Sequence, residues 1–252
     1  MNNLNIITQL NQSLVSYMTT GDHPRACIAV KALLSQTRAL INFLNALGPE
    51  LENLVTHHGP APSRFNLAFV STFPETTDTS DFGLDSGVLT LLDKMVLFLP
   101  QTSALDQNID DVIMILAPQV HAHFELLVPV LYNAGFFFHQ QGICTGRSSL
   151  FLKGIKYYHT ALNFLDFFFD PTDAGDLVMR CALFNNLGHA SSVVAHFQDA
   201  DLCLKELKKA PMEPSPGSLG RVAGWTDQEL EDFFNYFVSV GSIGSYGFSP
   251  AA

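Results

Sequence analysis

LYNAGFFFHQQG, residues 131–142, contains the pattern from which the fold of this chain follows, and FNNLGHA at residues 184–190 repeats it. In both stretches apolar residues recur at three- and four-residue steps, which is the spacing of one face of an α-helix. Each stretch also carries a glycine, Gly135 or Gly188, within that pattern. A small residue inside a helix lets a second helix approach closely, so both stretches predict tightly packed helices.

Each of these helices is followed by a second helix with a small residue of its own. After the first stretch and a turn at Gly142, Gly154 is followed by Tyr158, and after the second stretch Ala200 is followed by Leu204. A weaker copy near the amino terminus has Leu10, Tyr17, Gly21, Ala26, Val30 and Leu33 in the corresponding places. The sequence therefore predicts three helical pairs.

This pattern resembles the tetratricopeptide repeat family, whose unit is a 34-residue helix–turn–helix. The resemblance covers residues 3–47 loosely and residues 119–209 more closely, and it departs from the family in its irregular spacing, in a long insertion and in lacking the usual Trp. It implies a mainly all-α fold in which antiparallel helical hairpins stack as a short solenoid. It also implies a concave groove that binds a protein or peptide segment, with no chemistry of its own.

The resemblance also implies which side chains face that groove from the first helix of each pair. They are Asn11, Tyr132, Asn133, Phe136, Asn185, Asn186 and His189, with Val15 beside Asn11. Asn133 and Asn186 lie two residues before their glycines, where family members often bond the backbone of a ligand. The alternative is that these amides bond neighbouring helices within the stack, and the sequence leaves both roles open. None of these positions is basic, which disfavours a ligand that ends in a carboxylate.

The chain as a whole is predicted to form one domain. It begins with a first hairpin (residues 1–55), an irregular insertion (56–118) and two further hairpins (119–210). A linker (211–225), a capping helix (226–240) and a flexible tail (241–252) follow. A Thr226-Asp227-Gln228-Glu229 capping box opens the last helix, which is expected to cover the apolar end of the stack.

The insertion carries two apolar runs that predict strands. Met95–Leu99 and Val112–Leu116 are both short and are each followed closely by a proline, Pro100 or Pro118. Short apolar runs bounded by prolines favour strands over helices, so these two runs predict a small β-hairpin.

Composition narrows the class of partner and the compartment. The 252 residues include 13 Lys and Arg against 24 Asp and Glu, a net charge of −11, which disfavours binding to nucleic acid. No apolar run reaches the roughly 18 residues of a membrane helix, and the amino terminus does not have the pattern of a secretory signal. The four cysteines are scattered, which is typical of reduced thiols. We therefore expect an intracellular, cytoplasmic protein, with the nucleus left open.

No motif for catalysis, a cofactor or a metal emerges. His121 and His123 are two residues apart on a predicted helix, so they point to different faces and do not converge on one ion. Residues 142–148 resemble a phosphate loop, but they are one residue short and carry Arg147 where a lysine belongs. The chain is thus predicted to be a non-enzymatic scaffold or adaptor.

The insertion and the aromatic residues each suggest a further hypothesis about function. An enzyme or small-molecule binder could use residues 56–118, with His57, His58, Asp81 and Asp85 as its candidate groups. The aromatic runs at residues 136–138, 164–169 and 233–237 are too dense for one helix face, which indicates an apolar patch that contacts a partner or a second copy of the chain.

Overall fold

The computed structural model of this chain describes residues 3–47, 65–72, 94–100, 112–166 and 174–209. Within those ranges the fold is mostly helical, with six helices and one small antiparallel sheet of two strands. In chain order the elements are α1 (Asn3–Thr19), α2 (His23–Leu47), β1 (Phe65–Ser71), β2 (Lys94–Pro100), α3 (Val112–Thr145), α4 (Ser148–Leu165), α5 (Ala174–Val193) and α6 (Phe197–Lys209).

Consecutive helices pack as pairs. α1 packs on α2, α3 on α4 and α5 on α6, and between the pairs α2 contacts α3 and α4 contacts α5. None of the helices in the described ranges is both long and apolar enough to cross a membrane.

Glycines bring α3 and α4 into close contact, as the sequence predicts. A Cβ atom added at Gly154 would lie 3.0 Å from the carbonyl oxygen of Gly135, so the two backbones are nearly touching. A Cβ added at Gly135 would lie 2.7 Å from the ring of Tyr158. The small residues of the second pair are therefore required by packing. In the third pair, Gly188 is buried and Ala200 is half-buried.

A residue with left-handed backbone conformation lies in the turn of each helical pair. Gly21 has φ 72°, Gly146 has φ 66° and Ala195 has φ 62°. Glycine adopts this conformation freely, whereas the Cβ of alanine makes it unfavourable. Backbone strain in the third turn follows from the alanine.

The sheet pairs two segments of the insertion. Phe69 of β1 lies opposite Val96 of β2, within a register that runs from Phe65 opposite Pro100 to Ser71 opposite Lys94. β2 also packs on α1 and α3, so it connects the sheet to the helices.

The predicted β-hairpin was therefore half right. The strand at Met95–Leu99 is confirmed within β2, but its partner is Phe65–Ser71, which was not predicted. Val112–Leu116 is wrong as a strand, because it forms the first turns of α3. Pro118 and Pro129 both lie inside that helix, which begins seven residues before the predicted residue 119.

The reason for this error is that residues 112–116 are all apolar, so their sequence shows no helical period. Farther along α3 every residue from 126 to 137 is buried, which leaves that part of the helix without a polar face. A short continuous apolar run is compatible with a buried strand and with a buried helix, and only the packing separates the two.

Helices are found within residues 119–210, where the sequence predicts two helical pairs: α3 pairs with α4, and α5 pairs with α6. The linker, capping helix and tail predicted for residues 211–252 lie outside the described residues.

Candidate functional site

The outer edge of β2 is held by an amide side chain rather than by a third strand. Asn133 of α3 accepts a hydrogen bond from the backbone N–H of Val96 through Oδ1 at 2.8 Å and donates through Nδ2 to the Val96 carbonyl at 2.6 Å. A strand residue directs its N–H and C=O to the same edge, so Val96 presents both groups to α3 and neither to β1. The carboxamide supplies the one acceptor and one donor that a neighbouring strand would offer.

Asn11 of α1 completes this arrangement from the other side. Its Nδ2 donates to the Val96 carbonyl at 2.9 Å, and its Oδ1 accepts from Asn133 Nδ2 at 2.9 Å. Both asparagines are fully buried, where an unpaired amide would be costly. The two amides therefore join α1, α3 and β2 through one set of mutually satisfied hydrogen bonds.

A second contact lies two residues earlier on the same edge of β2. The hydroxyl of Tyr132 donates to the carbonyl of Lys94 at 2.9 Å, and Asn186 of α5 donates to that hydroxyl at 3.1 Å. Residues two apart on a strand share one edge, so Tyr132 bonds the same row of backbone groups as Asn133, and α5 is joined to that row through the Tyr132 hydroxyl. We call Asn11, Tyr132, Asn133 and Asn186 the strand cradle.

The hydrogen bonds continue from the strand cradle to a pair of histidines. Asn186 also bonds the hydroxyl of Tyr158, whose oxygen lies 3.3 Å from His139 Nδ1. His139 Nε2 lies 2.8 Å from Nδ1 of His189, and the two imidazoles stack with centroids 4.9 Å apart. The two neutral imidazoles can pair in either of two tautomeric arrangements: Tyr158 donates to His139 and His139 to His189, or His189 donates to His139 and His139 to Tyr158.

Burial fixes the protonation of this network. Desolvation, followed by the neighbouring His189, lowers the pKa of His139 to about 3, and desolvation lowers the pKa of His189 to about 4. Burial, with Tyr132 adding to it, raises the pKa of Tyr158 well above its ordinary value. All three groups are therefore neutral at pH 7.

The structure brings six of the seven predicted groove residues into this network. Asn11, Asn133, Tyr132 and Asn186 form the strand cradle, Asn185 donates to Asn186 Oδ1 at 3.1 Å, and His189 ends the chain of hydrogen bonds. Phe136 is fully buried in the hydrophobic core instead. All but His189 are buried, and the strand cradle lies directly under β2. Binding of another protein at these positions stays a prediction.

Sequence reasoning missed the residues that complete the site. Val96 and Lys94 contribute only backbone atoms, which carry no sequence signal at all. Tyr158 and His139 lie within helical patterns that core packing already explains. An asparagine within an otherwise apolar helix face was the available signal, because a buried amide requires partners.

The described residues contain no group of three or more His, Cys, Asp or Glu side chains that could hold a metal ion. Burial raises the pKa of Cys181 and Cys203 to about 12, so both thiols stay protonated at neutral pH. The groups predicted for an enzyme, His57, His58, Asp81 and Asp85, lie outside the described residues, as do His121 and His123 as side chains.

The aromatic runs lie mostly in the interior where the structure describes them. Phe137 is buried, Phe138 stacks on Tyr157 at 5.6 Å, and Phe164 packs against the core. Residues 167–169 and 233–237 lie outside the described residues. An exposed phenylalanine is instead found on α6, where Phe197 is 54% exposed.

Comparison of this chain with known proteins gives no match to a family model, to a curated protein or to a solved structure. The geometry of the strand cradle is therefore the basis for assigning a function.

Proposed function

We propose that this chain is a non-enzymatic, intracellular helical-repeat protein of the tetratricopeptide type, with its hairpins stacked as a short solenoid. It acts as a scaffold or adaptor that binds a segment of another protein in the groove lined by α1, α3 and α5. The observation that supports this most strongly is the pair of hydrogen bonds between the Asn133 side chain and the backbone of Val96, one accepted and one donated by the amide. They are contacts suited to an extended polypeptide.

The chemistry of the lining favours binding over catalysis. The strand cradle offers amide and hydroxyl groups, which orient a backbone but do not titrate near pH 7. A general acid or base needs a pKa near the working pH, whereas His139 and His189 are held neutral by burial. The groups of this network therefore hold one protonation state, as a rigid recognition surface requires.

The stacking order supports the repeat architecture. Each hairpin contacts the next in sequence order, through α2 with α3 and through α4 with α5. Each repeat of a solenoid contacts only its neighbours in this way. The net charge of −11 fits a protein partner better than a nucleic acid.

Quantitative affinity capture from an extract of the source cells tests this function. The full chain, a Tyr132→Phe variant and a Tyr157→Phe variant serve as baits, because each variant loses one hydroxyl and keeps its ring. Tyr132 lies in the strand cradle, whereas Tyr157 of α4 is only half-buried and stacks on Phe138. We expect at least one captured protein to change several-fold in recovery with Tyr132→Phe and to be unchanged with Tyr157→Phe.

Equal recovery of every partner from all three baits would show that binding does not involve this groove. A thermal-shift screen with metals, nucleotides and common metabolites is the matching check on the enzymatic alternative. Clear stabilisation by one of these compounds, without a groove-dependent partner, would contradict the proposed function.

A further inference from the structure

We infer, on the basis of the proposed function, that β2 occupies the groove as an intramolecular ligand. The segment bound from a partner protein is an extended apolar strand that takes the place of β2. The fold thus contains its own competitor for the binding site.

The strand cradle recognises backbone atoms that any extended segment carries. Its contacts with β2 go to the N–H and C=O of Val96 and to the C=O of Lys94. Strand addition works by this kind of contact, because main-chain hydrogen bonds give affinity without requiring a particular sequence. The exception is proline at the position of Val96, since proline has no N–H to donate.

Burial of β2 defines the side chains that the occupant needs. Met95 and Val96 are both fully buried. Consecutive residues of a strand point to opposite faces, so both faces of the occupant are covered at this point. A segment with a charge at either position would bury that charge, which strongly disfavours it. The partner segment is therefore apolar at two consecutive positions.

The helices contact one another as well as β2. The three helical pairs contact one another directly, through α2 with α3 and α4 with α5. β2 reaches the helices at α1 and α3, and its other edge pairs with β1. Another strand could therefore replace β2 while the helical contacts remain.

An occupied site weakens the apparent affinity for a second ligand. The observed affinity falls in proportion to the fraction of molecules in which the site is empty. A chain with weakened β2 contacts should therefore bind an added strand more tightly than the wild type does.

A labelled peptide with the sequence of residues 92–102, LDKMVLFLPQT, is the direct probe. It is titrated by fluorescence anisotropy into the full wild-type chain and into a full-length Val96→Pro chain. The substitution removes the N–H that Asn133 accepts but leaves the ladder with β1, because that N–H does not face β1. We expect the peptide to bind Val96→Pro roughly tenfold more tightly than wild type, or better.

Two peptides serve as matched controls. N-methylation at Val96 removes the same hydrogen bond from the probe and is expected to weaken its binding to Val96→Pro by roughly tenfold. A peptide of identical composition, rearranged so that no two consecutive residues are apolar, should not bind. Circular dichroism checks that Val96→Pro is folded, and if it is not, Val96→Gly replaces it, since glycine keeps the N–H and removes the buried side chain.

Equal affinity for both chains, no binding to either, or insensitivity to N-methylation would overturn the inference. Light scattering measures the oligomeric state and so tests whether a second copy of the chain is the occupant. A wild-type dimer that becomes monomeric in Val96→Pro would show that β2 of another copy fills the groove, and this too would overturn it.

The peptide titration and the affinity capture test the two proposals independently. A groove-dependent partner without peptide binding would leave the proposed function standing and remove only the strand exchange. Peptide binding without a groove-dependent partner would support strand exchange but contradict the scaffold role.

Discussion

Replacing Asn133 with alanine is expected to destabilise the fold by clearly more than replacing Asn11 with alanine. The two residues are of the same type, are both fully buried, and bond to the same carbonyl of Val96. The loss of side-chain packing should therefore be similar for the two variants. The difference between them reports on hydrogen bonds alone.

The magnitude follows from the groups left without a partner. Asn133→Ala leaves the Val96 N–H without its acceptor and Asn11 Oδ1 without its donor, while the Val96 carbonyl keeps its bond from Asn11. At about 1–3 kcal/mol for each of these two unsatisfied buried groups, the hydrogen-bond cost is about 2–6 kcal/mol. Asn11→Ala leaves both bonds between Asn133 and Val96 intact and removes the acceptor of only one buried N–H, on Asn133 Nδ2, so its hydrogen-bond cost is about 1–3 kcal/mol.

Urea unfolding followed by circular dichroism measures both variants against the wild type. Equal slopes with denaturant would show that the unfolding reactions are comparable, and the midpoints then give the difference in the free energy of unfolding. A cost for Asn11→Ala that equals or exceeds that of Asn133→Ala would refute this account of the strand cradle.

Three other outcomes are expected. Ala195→Gly should raise the free energy of unfolding by about 0.5–1 kcal/mol and Gly146→Ala should lower it by about 1 kcal/mol, because both residues have positive φ. A Cβ at Gly146 meets no atom within 4 Å, so the cost of that variant comes from the backbone conformation and not from a clash. Changes of the opposite sign in urea unfolding would contradict this prediction. The free energy of unfolding should be highest above pH 6.5 and should fall as the pH drops toward about 4, the folded pKa of His189, and then about 3, that of His139. The reason is that both folded pKa values lie below the ordinary 6.5, so the unfolded chain binds more protons in this range. At pH 5 the loss is on the order of 2 kcal/mol for each imidazole, and an unfolding free energy that is flat from pH 7.5 to 5 would show that the pair is solvated. A thiol reagent should modify the exposed Cys144 well before the buried cysteines of α5 and α6, and simultaneous modification of the folded chain would show that those helices open readily.

Local patterns in the sequence predicted the contact between α3 and α4 correctly. Gly135 and Gly154 were identified because small residues lie where large ones continue the apolar face, and the structure places their backbones in near contact. β1 was not predicted, although Phe65, Leu67 and Phe69 recur at the two-residue period of a strand. The strand assigned at Val112–Leu116 was wrong because a run of five apolar residues fits a helix and a strand equally well.

The candidate site, like the fold, was predicted from the sequence only in part. The resemblance to a repeat family selected Asn11, Asn133 and Asn186, and the structure places all three in contact with β2 or with the tyrosine that holds it. It gave no indication that Asn11 and Asn133 bond a strand of the chain itself. It also gave no indication of the pairing of His139 with His189, which lie on different helices.

The amino-acid sequence by itself determined where most helices form and which of their residues must be small, because helical periodicity and glycine spacing act within a few residues of the chain. Only the tertiary structure decided what the buried asparagines bind. Asn133 meets Val96 across 37 residues of sequence and Asn11 meets it across 85. At such separations a hydrogen bond to a backbone group depends on how the helices and strands pack. The residue type gives no indication of it, because nearly all residues carry the same backbone N–H and C=O.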